Sequence, residues 1–223
     1  MRFMFAYPQY GSEGDMLDAG PVADLARVAE ASGWHGMAVT DHPAPGAKWL
    51  ENGGHQSLDP FIALGNAAAV TSELKLHTHL AVGPYRNPLL LAKAAATVDK
   101  LSNGRMILGL GAGYLRKEFK ALGVNFDERN ALMDELLEVL PLHWSGKPFS
   151  YEGKHFVARE LLALPAPVQQ PVPVWIGGNS ALSLKRVAER GSGWIPLIGP
   201  KALSDVVRTP VISSLEELRS KIK

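Results

Sequence analysis

Short apolar runs alternate with amphipathic stretches along most of the chain. A short apolar run between turn signals is typical of a buried strand, whereas apolar residues three and four positions apart predict a helix. Six runs of the first kind predict strands over Arg2–Tyr7, Gly36–Thr40, Leu74–Val82, Arg105–Leu110, Val172–Ile176 and Gly193–Leu197.

Helical patterns lie between these strands. Asp59-Pro60 and Asn87-Pro88 are favourable starts, because an Asp or Asn side chain accepts from free N–H groups and proline suits the first turn. The predicted helices begin or run at about 21–33, 59–72, 87–101, 117 onward, 127–144 and 180–190, with a last one after the capping residues Ser213 or Ser214 and Glu216 or Glu217.

This alternation of strand and helix predicts a parallel sheet covered by helices. Two architectures fit the pattern, an open doubly wound sheet and a (β/α)8 barrel. Residues 145–171 are less regular, and FSYEGKHF predicts a small hairpin with Glu152-Gly153 in its turn. Without a linker or repeat, we expect one domain over 1–223, with 145–171 as an insertion.

Polar, glycine and histidine residues concentrate where the predicted strands end. In both architectures the carboxyl ends of the parallel strands meet at one edge and carry the chemistry. These ends are Tyr7–Gln9, Asp41-His42, His79–Pro84, Gly111–Tyr114, Gly177–Ser180 and Pro196-Leu197. We therefore expect the active face at this edge.

Composition narrows the class of function. The 23 Lys and Arg nearly cancel the 22 Asp and Glu, so no basic surface for nucleic acid or for a membrane is expected. The absence of cysteine excludes disulfides, thiolate metal sites and a cysteine nucleophile. The N-terminus lacks the apolar core of a signal peptide, and no apolar run is long enough to span a bilayer. The expectation is a cytoplasmic protein.

The stretch 101–119, LSNGRMILGLGAGYLRKEF, combines a strand, a glycine turn and the start of a helix. Because glycine has no Cβ, backbone in the 109–113 turn could approach a ligand closely. Alternatively, these glycines only make a tight turn, and this stretch alone does not decide between the two interpretations.

Four motifs stand in order along the chain: Asp41-His42, THLAVGPYRNPLLLAKAAATVDKLSNGR, LGLGAGYLRKEFKALGVNFDER, and VWIGGNS followed by SGW. Together they resemble the luciferase-like monooxygenase superfamily, and within it the branch of deazaflavin (coenzyme F420)-dependent oxidoreductases. The resemblance covers nearly the whole chain. It implies a (β/α)8 barrel that binds a flavin or deazaflavin at the carboxyl-end face.

The number of strands departs from that barrel. A barrel of this type has eight strands over about 250 residues, and only six are predicted here. By this count, we expect the last two βα units of the family to be missing. We therefore expect either a truncated product or a reduced barrel that closes through a homodimer or higher homo-oligomer, because an open strand edge needs cover.

The resemblance gives roles to the residues after the second strand. It implies that Asp41 contacts the ring or side-chain hydroxyls of the cofactor and that His42 lies beside the hydride-carrying carbon. A histidine that titrates near neutrality can take or give the proton that accompanies hydride transfer. The alternative is a helix-capping Asp and a solvated His before Pro43.

His79-Leu80 falls where the family has a non-prolyl cis peptide bond against the cofactor ring. His77 and His79 also share one face of their strand, because side chains alternate. A His-x-His pair inside a barrel could instead provide two metal ligands. No further ligand set follows the later strands, so we expect no metal.

The resemblance also places the cofactor's phosphate at Gly177, Gly178, Asn179 and Ser180. They precede a predicted helix, whose N-terminal N–H groups favour an anion. The alternative for Asn179 or Ser180 is a simple helix cap, which is compatible with phosphate binding.

By the same resemblance, the glycine turn faces the middle of the cofactor, through Gly111, Ala112 and Gly113. Tyr114 and Trp49, the latter in a loop over 43–57, would lie on the substrate side. Tyr114 stands where the sugar-phosphate dehydrogenase branch has a glutamate acid, which argues against sugar-phosphate oxidation. Arg86 is expected to form a structural ion pair or cap.

The leading prediction is an oxidoreductase that transfers a hydride between F420 and an unidentified small organic substrate. The second is an FMN-dependent monooxygenase of the same fold. The third is a shortened barrel that binds a cofactor without turnover, and the last is a metal-dependent hydrolase built on His77 and His79.

Overall fold

The main sheet is parallel throughout and follows the predicted order of strands. The computed structural model describes residues 2–8, 14–201, 203–204 and 209–222. The strands are β1 (Met4–Ala6), β2 (Gly36–Val39), β3 (Lys75–Thr78), β4 (Ala81–Val82), β5 (Met106–Gly111), β8 (Val174–Gly177) and β9 (Gly193–Ile195). They pair in the order β1-β2-β3-β5-β8-β9, with β4 alongside β5.

Helices follow most of the strands, and several of them pack against this sheet. They are α1 (Val22–Ala31), α2 (Ala47–Glu51), α3 (Pro60–Ala68), α4 (Pro88–Leu101), α5 (Arg116–Ala121), α6 (Arg129–Trp144), α7 (Ala181–Arg190) and α8 (Leu215–Ile222), with 3₁₀ turns at Gly83–Tyr85 and Phe126–Glu128. The predicted starts of α3 and α4 are confirmed: Asp59 accepts from the N–H groups of Phe61 and Ile62, and Asn87 accepts from that of Leu89.

The core lies between the helices and the sheet. Alternate strand residues such as Met37, Leu76 and Leu108 are fully buried and form one large cluster with the apolar faces of α3, α4 and α6. Their neighbours along the strands point to the opposite face, as the two-residue period of a strand requires. The fold is therefore of (β/α)-barrel type, as predicted, with six strand positions in a half-barrel sheet.

The predicted third strand is wrong in one respect, because it is not continuous. It divides into β3 and β4 at His79-Leu80, where the peptide bond is cis. The His79 N–H still bonds to the Val39 carbonyl at 2.7 Å. Before the break β3 pairs with both β2 and β5, and after it β4 pairs with β5. The main sheet consequently has seven strand segments in the described part of the chain rather than six.

Two other local predictions need correction. Trp49 lies on the short helix α2 rather than in a continuous loop. The hairpin exists as β6 (Phe149–Glu152) and β7 (Val157–Leu161), but Glu152 belongs to its first strand and the connection runs through 153–156. Gln9, in the predicted end of the first strand, lies outside the described residues. Among the helices described, none combines the length and apolar character needed to cross a bilayer.

Candidate functional site

Asp41 follows β2 and ties together three neighbouring segments. Its carboxylate accepts from the Val82 N–H at 2.9 Å and from both terminal nitrogens of Arg86. Arg86 also reaches Asp59, the cap of α3, at 3.2 Å. The structural ion pair predicted for Arg86 is confirmed. Asp41 does not cap a helix, because both of its oxygens are used by Val82 and Arg86.

His42 contacts a carboxylate that the sequence did not reveal. Its Nδ1 lies 3.2 Å from Glu118 Oε2, and its backbone N–H donates to Ser57 Oγ at 2.8 Å. Glu118 is fully buried. It also accepts from the Ala44 N–H at 3.1 Å and from the Tyr85 hydroxyl at 2.9 Å. The contact joins the end of β2 to the first turn of α5.

Three further rings surround His42. Their centroids lie 4.7 Å away for Trp49, 4.9 Å for His55 and 6.3 Å for Tyr114. We call His42, Trp49, His55 and Tyr114 the ring cluster. Burial, followed by the charge of Glu118, raises the pKa of Tyr114 to about 12, and burial lowers the pKa of His55. Both groups are therefore neutral near pH 7.

His77 and His79 lie side by side on the inner face of the sheet. Their ring centroids are 5.4 Å apart, and that of Trp175 is 5.2 Å from His77. Neither ring nitrogen of His77 has a hydrogen-bond partner among the described residues. Burial, and then the neighbouring His79, lower the pKa of His77 to about 3. Within the ranges described, no group of three or more His, Cys, Asp or Glu could hold a metal ion.

The predicted glycines are explained in part by packing against β4 and Leu80. A Cβ on Gly111 would lie 3.0 Å from Leu80 Cδ1, and one on Gly177 would lie 2.3 Å from the same atom. Gly113 has φ +80°, and its Cβ would meet Val82 at 2.6 Å. A side chain at these positions would displace Leu80 or Val82. Ala112, between Gly111 and Gly113, is half-buried.

The loop before α7 ends in a capped helix start. Gly178 has φ +102°, and Ser180 caps the helix by accepting from the Ser183 N–H at 3.1 Å. Asn179 is buried and donates to the carbonyls of Leu197 and Pro210 at 2.8 Å each. Of the predicted caps, Ser180 is therefore correct, whereas Asn179 holds the following chain.

The structure brings the predicted site residues together in three groups at the carboxyl ends of the strands. Asp41, His42, Trp49 and Tyr114 form the first group; His79, Leu80, Gly111 and Gly177 form the second; and Gly178, Asn179 and Ser180 form the third. The first two are joined directly, because Asp41 binds the N–H of Val82 and Val82 pairs with Gly111. His55, Tyr85 and Glu118 belong to the first group and were not predicted.

Two surface cavities lie away from these three groups of residues. One of about 250 Å³ is beside the hairpin and includes Tyr151 and His155 in its lining. The other, of about 460 Å³, is at the amino ends of the strands, against Phe3 and Trp34. Neither contains a residue of the three groups.

Several known proteins are similar in sequence to this chain. Residues 2–210 match the family described as luciferase-like monooxygenase. An uncharacterized protein of Mycobacterium tuberculosis is 33% identical over 186 residues, which cover 78% of this chain and 66% of the relative. An F420-dependent glucose-6-phosphate dehydrogenase of Kineococcus radiotolerans is 30% identical over 190 residues, or 83% of this chain and 55% of that protein.

A solved structure shows the same fold at greater sequence distance. The monooxygenase RslO1 from Streptomyces bottropensis superposes with a TM-score of 0.78 at 24% identity, over 99% of this chain and 65% of that one. The chain thus spans between about half and two thirds of the length of these three proteins.

Proposed function

Because the chain belongs to the luciferase-like monooxygenase family, we propose that it is an oxidoreductase that uses F420 to transfer a hydride to or from a small organic substrate. The relative named as an F420-dependent dehydrogenase supports this choice of cofactor. By the resemblance, Tyr114 stands where the sugar-phosphate dehydrogenase branch has a glutamate acid, so we propose a substrate other than a sugar phosphate.

The observation that carries the proposal is the environment of His42. Its Nδ1 contacts a buried carboxylate, while no residue in the described ranges hydrogen-bonds its Nε2. Three neutral or apolar rings surround it. An imidazole held in this way can give or accept one proton at Nε2.

The residues present fit a ring cofactor with a phosphate tail. Ala181 and Leu182 start α7 and are exposed residues, and no acceptor for their backbone N–H groups lies among the described residues. We propose that Gly177–Ser180 and this helix end hold an anion. Leu80 and the 111–113 backbone provide an uncharged surface on the same edge. We propose that Asp41 supports this surface through Val82 and Arg86.

When bound, F420 would supply the hydride chemistry. The protein's part is to hold the phosphate at α7, to exclude water with the ring cluster, and to hold the accompanying proton on His42. We propose that Trp49 and Tyr114 contact the substrate. A homodimer or higher homo-oligomer, and a single domain over 1–223, remain predictions.

A second candidate is an FMN-dependent monooxygenase of the same fold, and the structurally similar RslO1 is named a monooxygenase. FMN also combines a planar ring with a phosphate, so the features named above do not separate it from F420. This candidate differs in requiring oxygen as a reactant.

Equilibrium binding of F420 and of FMN to the purified 223-residue chain, followed by fluorescence, separates the candidates. We expect micromolar binding of F420 and much weaker binding of FMN. Tight binding of FMN alone would favour the monooxygenase. Binding of neither would contradict both candidates for this chain.

A further inference from the structure

Glu118 is a buried carboxylate, and no lysine or arginine of the described ranges makes a hydrogen bond to it. Its three described partners are His42 Nδ1, the Ala44 N–H and the Tyr85 hydroxyl. The nearby guanidinium groups are engaged elsewhere, since Arg86 pairs with Asp41 and Asp59 and Arg116 pairs with Asp127. A buried charge is retained only where donors satisfy it, so each of these three contacts matters.

Two of the three donors fix the carboxylate independently of His42. The Ala44 N–H reaches Oε1, and the Tyr85 hydroxyl reaches Oε2. Behind them, Phe119 is fully buried, and its ring lies edge-on to that of Tyr85 with centroids 4.8 Å apart. The position of Glu118 is therefore set by packing and by these two bonds, and the imidazole has to adapt to the carboxylate.

We infer that Glu118 is a positioning residue that holds His42 in the tautomer protonated at Nδ1, which leaves Nε2 as the nitrogen that exchanges a proton with a bound ligand. The inference deepens the proposed function and rests on it for its catalytic meaning. The contact itself, between His42 Nδ1 and Glu118 Oε2, is independent of any ligand.

The reason lies in the chemistry of the neutral imidazole ring. One nitrogen is a donor and the other an acceptor, and the hydrogen bond at one nitrogen decides the state of the other. The opposite tautomer would place the Nδ1 lone pair against the Glu118 carboxylate. A protonated ring would also satisfy Glu118 and would then present an N–H at Nε2.

Glu135 provides a matched control in the same molecule. Its Oε1 contacts His155 Nδ1 at 2.6 Å, again across a helix-to-loop interface, but this pair lies beside the hairpin and away from the ring cluster. A change that acts only through general folding should affect both histidines. A change at Glu118 that acts through the contact should affect His42 alone.

The test is nitrogen-15 NMR of the purified, histidine-labelled chain without any cofactor, with His42 assigned by the signals missing in His42→Gln. In the unsubstituted chain we expect a protonated Nδ1 and, for the neutral ring, an unprotonated Nε2. Glu118→Gln should produce a mixture of tautomers at His42, whereas Glu135→Gln should change only His155. A ring protonated at Nε2 alone in the unsubstituted chain would overturn the inference, and so would an unchanged His42 signal in Glu118→Gln.

Turnover separates this inference from the proposed function. With an accepted substrate, Glu118→Gln should lower kcat by less than the roughly 10²–10⁴-fold expected for loss of the acid–base group itself, with the Kd for F420 within a few fold. Altered tautomers with no F420 binding in any variant would contradict the proposed function and leave the positioning role intact. If Glu118→Gln does not fold, the spectrum of the unsubstituted chain still shows which nitrogen of His42 is protonated. Tyr85→Phe then gives a second perturbation of the Glu118 carboxylate.

Discussion

Two histidine–glutamate pairs in this molecule share a contact but differ in their surroundings. In both, Nδ1 of the histidine meets a glutamate oxygen, at 3.2 Å for His42–Glu118 and 2.6 Å for His155–Glu135. The Glu118 side chain is 0% exposed, and that of Glu135 is 12% exposed. The second pair also has Glu128 within 3.3 Å of His155 Nε2, and Lys154 on Glu128.

The difference indicates which pair serves chemistry and which serves structure. The hydrogen bond of His155 to Glu135, with the Glu128 carboxylate nearby, outweighs burial and raises the pKa of His155, which favours an ion pair between the hairpin and α6. Both nitrogens of that ring face carboxylates. His42 instead faces one carboxylate and has an Nε2 without a described partner. A proton on His155 is held in place, whereas a proton on His42 can be passed on.

The largest expected effect comes from removing the two histidines in turn. His42→Ala should lower turnover by roughly 10²–10⁴-fold, the usual loss for a missing general acid–base, with cofactor affinity within a few fold. His155→Ala should leave kcat nearly unchanged, because its ring lies against the hairpin. Steady-state kinetics with F420 and an accepted substrate measure both. Equal losses in the two variants would remove the distinction between the pairs.

Removing the two carboxylates should affect stability unequally. Glu118→Ala leaves the half-buried Tyr85 hydroxyl without its acceptor, and an orphaned buried group costs about 1–3 kcal/mol. We therefore expect a loss of about 2 kcal/mol in the free energy of unfolding. Glu135→Ala should cost less, because the Glu135 carboxylate is itself partly exposed and water can replace it at its donors. Urea unfolding of both variants gives the comparison, and a larger loss for Glu135→Ala would contradict it.

The sequence predicts the His42 end of its pair but not the Glu118 end. His42 is identifiable because it follows an apolar strand directly, and the carboxyl ends of parallel strands converge. Glu118 lies 76 positions further along, within LRKEF, where three successive charged residues are typical of a solvated helix. Its burial depends on how α5 packs, which no local pattern specifies. The only local signal is the buried Phe119 beside it.

The break between β3 and β4 shows a similar limit. Leu74–Val82 has the composition of one continuous strand, so periodicity predicts no interruption at His79-Leu80. Only the resemblance to a family indicated a special bond there. Once Leu80 is in place, it explains the glycines at 111 and 177, since their missing side chains make room for it. The sequence therefore predicts the architecture well and the side-chain interlocking at the strand ends poorly.

A smaller loss of stability is expected when the hydroxyl group is removed from Tyr85, near the first pair, or from Tyr151, near the second. The Tyr85 hydroxyl donates to Glu118 at 2.9 Å, and the Tyr151 hydroxyl donates to Glu138 at 3.0 Å. Tyr85→Phe should cost about 1 kcal/mol, the usual net value of one hydrogen bond. Tyr151→Phe should cost less, because the Glu138 side chain is 41% exposed, whereas that of Glu118 is fully buried. Chemical denaturation of the two variants measures the difference, and equal costs would show that burial of Glu118 adds nothing to this bond.

The smallest expected effect is on the pH dependence of stability, through the contact of His155 with Glu135 and Glu128. Because the folded pKa of His155 is raised by Glu135 and Glu128, its contribution to stability is fully present below the unfolded value of about 6.5 and is lost as pH rises through the folded value. As pH rises above the unfolded value of about 6.5, the unsubstituted chain should lose stability that His155→Gln does not lose. The two chains differ only in whether a proton can be held between two carboxylates, so parallel curves over this range would show that the link is neutral. In that case the two pairs would differ in exposure but not in charge, and the assignment of His42 as the proton-exchanging member would rest on its unpartnered Nε2 and the ring cluster alone.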